Sequence, residues 1–228
     1  MTNSFLLDSD IDEMLERLGS LTNEFAGKKI LLTGARGFLG RYFIELFHRM
    51  NKEILSKPVK VIALDNLMTS GKMGSQITER NGIEFMSHDV IEPFEYDGKL
   101  DFVVHAAGIA SPFYYRAYPL QTLDVAINGT RNMLELAGKC NAGFTFFSSS
   151  EIYGDPDPKH IPISESYRGN VSCQGPRACY DESKRVGETL CYIYQKIFGI
   201  HTNTVRPFNI FGPGMQENDY RVLPNFAS

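Results

Sequence analysis

The sequence lacks the features that mark several classes of protein. Its four cysteines form no CxxC pair and have no histidine at ligand spacing, which argues against a metal site or disulfide framework and predicts reduced thiols. No polybasic run occurs in a chain of net charge -4, so neither nucleic acid nor a membrane surface is an expected partner. The amino-terminal stretch is broken by charges every few residues, so it is neither a secretion signal nor a membrane span. These absences predict a cytoplasmic protein with a small-molecule ligand.

An amphipathic helix is predicted at the amino terminus. Apolar residues recur there at helical spacing, and they are Ile11, Met14, Leu15, Leu18 and Leu21. Such a helix either packs on the main domain or contacts a second subunit.

From residue 28 onward, short apolar runs alternate with helical stretches. The predicted strands lie in residues 28–34, 59–65, 83–89, 100–108, 143–150 and 201–209, and the helices near 37–50, 119–140 and 180–198. Runs of continuous hydrophobicity separated by helices are typical of a parallel sheet covered on both faces. The sequence therefore predicts a doubly wound α/β fold.

A glycine-rich turn follows the first of these strands. In "TGARGFLG", Gly34, Gly37 and Gly40 lie between a strand and a helix, where backbone N–H groups and a helix terminus can face a pyrophosphate. Asp65 ends the second strand, where a carboxylate binds the ribose hydroxyls of NAD and repels the 2'-phosphate of NADP. Arg36 complicates this choice because a guanidinium can meet that phosphate. We predict NAD.

The segment "YDESK" carries a tyrosine and a lysine four residues apart. On a helix, Tyr180 and Lys184 share one face, and an ammonium beside a phenol lowers the phenol pKa from about 10 and favours a base. The alternative is an ordinary solvated helix face.

These motifs combine into a family resemblance. The glycine turn, "HAAG" at residues 105–108, "SSSEIYG" at 148–154 and "YDESK" at 180–184 together resemble the extended short-chain dehydrogenase/reductases. The resemblance implies a Rossmann fold, an NAD cofactor, and a catalytic triad of Ser149, Tyr180 and Lys184. The cofactor contacts expected on this basis are Gly34, Arg36, Gly37, Phe38, Leu39, Gly40, Asp65, Asn66, Asp89, Val90, Ala106, Ala107, Gly108, Tyr180 and Lys184.

Within that family, "NGTRNMLELA", "GPRACYDESKRVGETLCY" and "RPFNIFGPGM" look closest to the UDP-glucuronate decarboxylases that make UDP-xylose. Dehydratases carry an Asp at the position of Ser150, so dehydration is disfavoured, and simple epimerases usually lack Glu151. The resemblance places both residues at the reacting end of the sugar, with the proton donor open between Glu151, Tyr180 and water. The substrate contacts it implies are Ser111, Tyr115, Arg177 and Asn209.

Several alternatives stay open. Arg206 either contacts the nucleotide diphosphate or closes a strand, and Asn128 either orders the site or marks a helix interruption. The competing functions are a sugar-nucleotide 4-epimerase or 4,6-dehydratase, and a dinucleotide-sensing protein without turnover. We expect a homodimer, although the apolar residues of the last helix fit either a dimer contact or the sheet; they are Leu190, Ile193, Tyr194 and Ile197.

The resemblance also sets an expected domain organisation. Residues 1–26 form the leading helix, 27–205 the NAD-binding domain and 206–228 the start of a substrate lobe. Because enzymes of this kind continue for roughly a hundred residues beyond this point, we expect that lobe to be incomplete and the chain to be truncated.

Overall fold

One parallel sheet organises the chain. The structure, a computed structural model, describes residues 6–70 and 80–216 and the single residues 219, 223 and 226. In these ranges six strands pair in the order β3-β2-β1-β4-β5-β6, all parallel. They are β1 (Lys29–Thr33), β2 (Lys60–Asp65), β3 (Ile83–Ser87), β4 (Phe102–His105), β5 (Gly143–Phe147) and β6 (Thr202–Val205). The predicted doubly wound fold is confirmed.

The helices lie on both faces of this sheet. They are α1 (Asp8–Leu18), α2 (Phe38–Glu53), α3 (Pro112–Ala117), α4 (Pro119–Asp124), α5 (Thr130–Cys140) and α6 (Ala178–Phe198), with 3-10 turns at Gly19–Phe25, Ser150–Tyr153 and Pro158–His160. The predicted helix at 119–140 is interrupted by a π-helical turn at Val125–Gly129. Asn128 is exposed in that turn, which agrees with the helix-interruption reading. The short helix α3 was not predicted, and Pro112 begins it.

Side-chain alternation along the strands divides the core into two layers. Leu31 of β1 lies opposite Ile62 and Val103 and packs in the layer beneath α5 and α6. Its neighbours Ile30 and Leu32 point to the other face, where α2 covers them. Strand β1 is buried on both sides, which explains why it reads as a continuous apolar run.

The leading helix packs on the domain. The Ile11 side chain of α1 is fully buried in the layer that contains Ile44 and Phe47 of α2. Arg49 of α2 pairs with Asp8 at 2.9 Å and Asp12 at 3.0 Å, which fixes the helix at its polar edge. Burial of one isoleucine is worth about 1.5–3 kcal/mol, more than these surface ion pairs contribute.

Most of the apolar side of α6 faces the sheet. Tyr194 lies in the core, and Leu190 and Ile193 pack against it. Ile197 does not, since 69% of it is exposed. No helix in the described ranges combines the length and the apolar character needed to cross a lipid bilayer.

Candidate active site

The glycine turn packs closely against two neighbouring backbone segments. Gly34 has φ +68°, and a Cβ there would lie 2.8 Å from the Ala106 oxygen and the Ala107 nitrogen. A Cβ on Gly40 would overlap the Gly34 carbonyl oxygen. Helix α2 begins directly after Gly37, its N-cap residue. The first-turn N–H groups of a helix have no intrahelical acceptor, so this arrangement offers a site for an anionic phosphate.

Asp65 lies beside this turn at the end of β2. Its Oδ2 accepts a hydrogen bond from the Arg36 backbone N–H at 2.9 Å, and its Oδ1 accepts one from the Leu67 N–H at 2.8 Å. The Arg36 guanidinium lies 4.5 Å from the centre of the Phe85 ring, over β3. The carboxylate therefore faces the cavity while the guanidinium is directed toward the sheet edge.

The glycine turn and Asp65 line a cavity of about 690 Å³, a size typical of small-molecule sites. Every site residue expected from the sequence lines it except Arg36 and Asp89. The Oδ2 of Asp89 instead accepts a hydrogen bond at 2.9 Å from the side chain of Asn66, which does line the cavity.

Lys184 and Tyr180 are buried side chains that line the cavity. The Lys184 Nζ donates to the Phe147 carbonyl at 2.9 Å and lies 5.7 Å from the centre of the Tyr180 ring. Burial lowers the pKa of Lys184 to about 8. A Cβ on Gly108 would lie only 2.9 Å from this nitrogen. The pair is therefore not a solvated helix face, because only 8% of Tyr180 and 7% of Lys184 are exposed.

The ring of Tyr115 packs against the ring of Tyr180. The two rings are stacked, with centroids 5.3 Å apart and an interplanar angle of 11°. Burial raises the pKa of Tyr115, so its phenol stays protonated. Ser111 is the N-cap residue of helix α3, which carries Tyr115. The buried Oγ of Ser111 has no hydrogen-bond partner within the described chain. This wall of the cavity therefore offers a hydroxyl to a ligand.

The 3-10 turn after β5 presents Ser149, Ser150 and Glu151. The Ser149 Oγ caps the turn by accepting the Glu151 N–H at 3.3 Å, and the Ser150 N–H donates to the Pro207 carbonyl at 3.0 Å. The Glu151 carboxylate pairs with Arg177, whose guanidinium also lies 3.7 Å from Asp181. A carboxylate and a guanidinium thus lie together beside the serine and tyrosine hydroxyls.

Two buried polar side chains, Thr33 and His105, support the segment at residues 106–108, which lies between the glycine turn and Lys184. The Thr33 Oγ1 accepts the Ala107 N–H at 3.1 Å and lies 2.8 Å from the His105 Nδ1. Burial, assisted by Lys184, lowers the pKa of His105 to about 3, so the imidazole is neutral at physiological pH. The pair fixes the ends of β1 and β4 without adding a charge.

Arg206 makes its described contacts outside the cavity. Its guanidinium binds both carboxylate oxygens of Glu188 at 2.8 and 2.7 Å and donates to the Tyr153 hydroxyl at 2.7 Å. It does not line the cavity within the described chain, whereas Asn209 does. The strand-closing reading of Arg206 is the one that the contacts support.

The segment after β6 crosses the end of the cavity that Gly34, Gly37 and Gly40 line, which we call the glycine end. The Tyr42 hydroxyl donates to the Pro213 carbonyl at 3.2 Å, and Arg41 donates to the carbonyl of Gly214. Gln216 donates to the Thr69 carbonyl at 2.6 Å and accepts from Tyr114 at 3.2 Å.

Some residues that line the cavity were not predicted as site residues from the sequence. They include Arg41, Thr69, Ser70, His88, Gly214 and Gln216. Arg41 follows the glycine turn directly, Gly214 lies within "RPFNIFGPGM" and Gln216 follows that segment, but none of these motifs marks the three residues as part of a site.

Comparison with known proteins identifies the family. Residues 30–228 match the family described as NAD dependent epimerase/dehydratase. The chain belongs to this family. The predicted family resemblance is confirmed, and the glycine turn, Asp65 and the volume of the cavity fit the dinucleotide in its description.

Two curated relatives within the epimerase/dehydratase family share much of the sequence. A UDP-glucuronic acid decarboxylase 1 from Xenopus tropicalis is 41% identical over 87% of this chain and 45% of the relative. A UDP-glucuronic acid decarboxylase 6 from Arabidopsis thaliana is 39% identical over 88% of this chain and 56% of the relative. The chain thus spans about half the length of the curated relatives it matches.

Solved structures share the fold. An epimerase from Methanothermobacter thermautotrophicus superposes with a TM-score of 0.76 at 25% identity, over 93% of this chain and 61% of that protein. A UDP-N-acetylglucosamine 4-epimerase from Methanobrevibacter ruminantium, in complex with UDP-N-acetylmuramic acid, gives 0.68 at 27% identity, over 88% and 62%.

Proposed function

We propose that this protein is an NAD-dependent decarboxylase of UDP-glucuronate, forming UDP-xylose or its 4-keto form through a 4-keto intermediate. The observation that carries the proposal is the meeting of Ser149, Glu151, Tyr180 and Lys184 in one cavity with the glycine turn. The names of the curated relatives support the choice of substrate.

The first task of the protein is to oxidise C4 of the sugar. NAD, held by the glycine turn and Asp65, would supply the hydride acceptor for this carbon and the hydride for the final reduction. Tyr180 takes the proton of the C4 hydroxyl, and the Ser149 hydroxyl hydrogen-bonds the same oxygen. Lys184, held by the Phe147 carbonyl, lies near the tyrosine ring and stabilises the phenolate form when charged.

The second task follows from the ketone itself. A carboxylate β to a ketone is lost as carbon dioxide, and the electron pair of the broken C5–C6 bond becomes an enolate. The protein then holds a proton source near C5. Glu151, Tyr180 or a water molecule between them fills this role, and Arg177 and Ser150 lie at the same end of the cavity.

The test is mass spectrometry of products after incubation of the protein with NAD and UDP-glucuronate. The expected result is carbon dioxide together with a UDP-pentose or its 4-keto form. A product that keeps its C6 carboxylate contradicts the proposal. With neutral UDP-hexoses, a chromatographically separate product of unchanged mass would identify a 4-epimerase and loss of water a 4,6-dehydratase, while nucleotide binding without any product would identify a dinucleotide sensor.

NAD rather than NADP is proposed because Asp65 faces the cavity while the Arg36 guanidinium lies over Phe85. Binding of both nucleotides to the purified protein is the direct measurement. Tighter binding of NADP would overturn the assignment.

We further infer a cytoplasmic homodimer. All four cysteines are free thiols, which suits a reducing compartment. Exposed apolar side chains on α4 and α6 favour a helix-mediated contact between two copies, and they are Leu120, Tyr192, Ile197 and Phe198. Light scattering measures the assembly state, and a monomer at micromolar concentration would contradict it. Residues 206–228 are assigned to the start of the sugar-nucleotide lobe because Asn209 and Gln216 line the cavity.

A further inference from the structure

Arg41 is a buried cation beside the glycine turn. It lies in the first turn of α2, only 6% of it is exposed, and it lines the cavity. Its Nε donates to the Gly37 carbonyl at 3.3 Å, and its Nη2 donates to the Gly214 carbonyl. One side chain thus connects the turn that faces the phosphates with the segment that crosses above it.

The charge of Arg41 is separated from the other positive charges that line the cavity. Three of the described lining residues are arginine or lysine, namely Arg41, Arg177 and Lys184. Arg177 and Lys184 lie with Glu151 and Tyr180 at the reacting end. Within the described chain, Arg41 is therefore the one arginine or lysine that lines the glycine end of the cavity.

A dinucleotide places two phosphate charges at that end. Backbone N–H groups and a helix terminus contribute only partial charges, equivalent to about half an elementary charge. A guanidinium contributes a full charge and a planar fork of five N–H donors, which lets it bind backbone carbonyls and a phosphate together. In a buried site, such charge-assisted hydrogen bonds are stronger than at the surface.

We propose that Arg41 binds the diphosphate of the dinucleotide and, through the Gly214 carbonyl, holds the turn at Pro213 and Gly214 over it. The proposal rests on the dinucleotide cofactor in the proposed function and does not depend on the sugar substrate. The competing explanation is that Arg41 only anchors the turn, in which case its loss would weaken every ligand alike.

The experiment compares ligands with and without the diphosphate. Calorimetry measures the binding of NAD, ADP-ribose and uncharged adenosine to the full chain and to Arg41→Met, Arg41→Lys and Arg49→Met. Arg49 lies on the same helix but pairs with Asp8 and Asp12 outside the cavity, so Arg49→Met is the matched control.

We expect Arg41→Met to weaken NAD and ADP-ribose by about ten- to a hundredfold, the range for a lost hydrogen bond to a charged group, with adenosine changed less than about twofold. Arg41→Lys should recover part of the loss, and Arg49→Met should bind all three ligands like the original protein. The affinity of the original protein for NAD should also fall more steeply with salt than that of Arg41→Met.

Three outcomes would overturn the inference. Equal affinities of the original protein and Arg41→Met for ADP-ribose would exclude a diphosphate contact while leaving the proposed function intact. Equal loss of adenosine and ADP-ribose would identify a purely structural anchor. Absence of NAD binding by the original protein would overturn the cofactor proposal as well. If Arg41→Met does not fold, ADP-ribose and adenosine are compared on Arg41→Lys, whose loss of the planar fork of donors should weaken ADP-ribose more than adenosine; equal affinities for ADP-ribose would again exclude the contact.

Discussion

Replacing Lys184 by methionine should stabilise the protein at neutral pH while abolishing turnover. Lys184 is buried, and its desolvation lowers its pKa from 10.5 to about 8. In the unfolded chain the ammonium is fully hydrated, so folding at pH 7 takes a charge out of water. Methionine has a similar length and no charge, so it removes this cost.

The magnitude follows from the two pKa values. The difference between 10.5 and about 8 corresponds to a cost of about 3 kcal/mol when both states are protonated. Loss of the hydrogen bond to the Phe147 carbonyl offsets about 1–3 kcal/mol of this gain, because that carbonyl is left without its donor. The variant should therefore be more stable at pH 7 by up to about 2 kcal/mol.

The pH dependence of stability tests the direction of this effect. Between pH 8 and 10.5 the unfolded lysine holds a proton that the folded one has released, so stability of the original protein rises with pH. At pH 10 the remaining cost is about 1 kcal/mol, and the advantage of the variant should disappear or reverse. Urea unfolding of both nucleotide-free proteins from pH 7 to 10 measures this difference. Parallel stability profiles over that range would refute the reasoning.

Three further predictions concern packing, ion pairing and cofactor choice. Gly187→Ala should lower the free energy of unfolding by about 1–3 kcal/mol in urea titration, because its methyl group would overlap the Phe146 ring; unchanged stability would contradict this packing. Arg206→Met should lower stability, since it leaves Glu188 without its partner, yet keep KM for the sugar nucleotide; a raised KM in steady-state kinetics would restore the substrate-contact reading. Asp65→Asn should weaken NAD by about tenfold and narrow its advantage over NADP in calorimetry; an unchanged preference would place cofactor selection elsewhere.

The parts of the site that the sequence predicts are those encoded by neighbouring residues. Three glycines between a strand and a helix require a tight turn wherever the chain runs, and the structure shows the close contact at Gly34 that such a turn needs. Tyr180 and Lys184 share a helix face because of their spacing alone. Their burial was the open point, and it depends on α6 packing against β5, which spacing does not specify.

The parts that the sequence does not predict arise between distant segments. Arg41 meets Gly214 across 173 positions, and Gln216 meets Thr69 across 147. No local pattern encodes either contact. The same reason explains Arg206, whose partners in α6 and in the loop after β5 decide between strand closure and ligand contact. Helix α3 was missed because a proline and aromatic residues give no helical period over six residues.

The strand order accounts for why these distant segments meet. Chain order reverses between β1 and β4, so connections leave the sheet in opposite directions and open a crevice at their carboxyl ends. Gly34 follows β1, Asp65 ends β2, Gly108 follows β4 and Ser149 follows β5, so all four reach the same edge. The roles divide along that edge, with the charge of Asp65 near one end of the cavity and those of Glu151 and Arg177 near the other. Ligands that contact both ends must be polar and together span the cavity, which agrees better with the proposed dinucleotide and nucleotide sugar than with a single small metabolite.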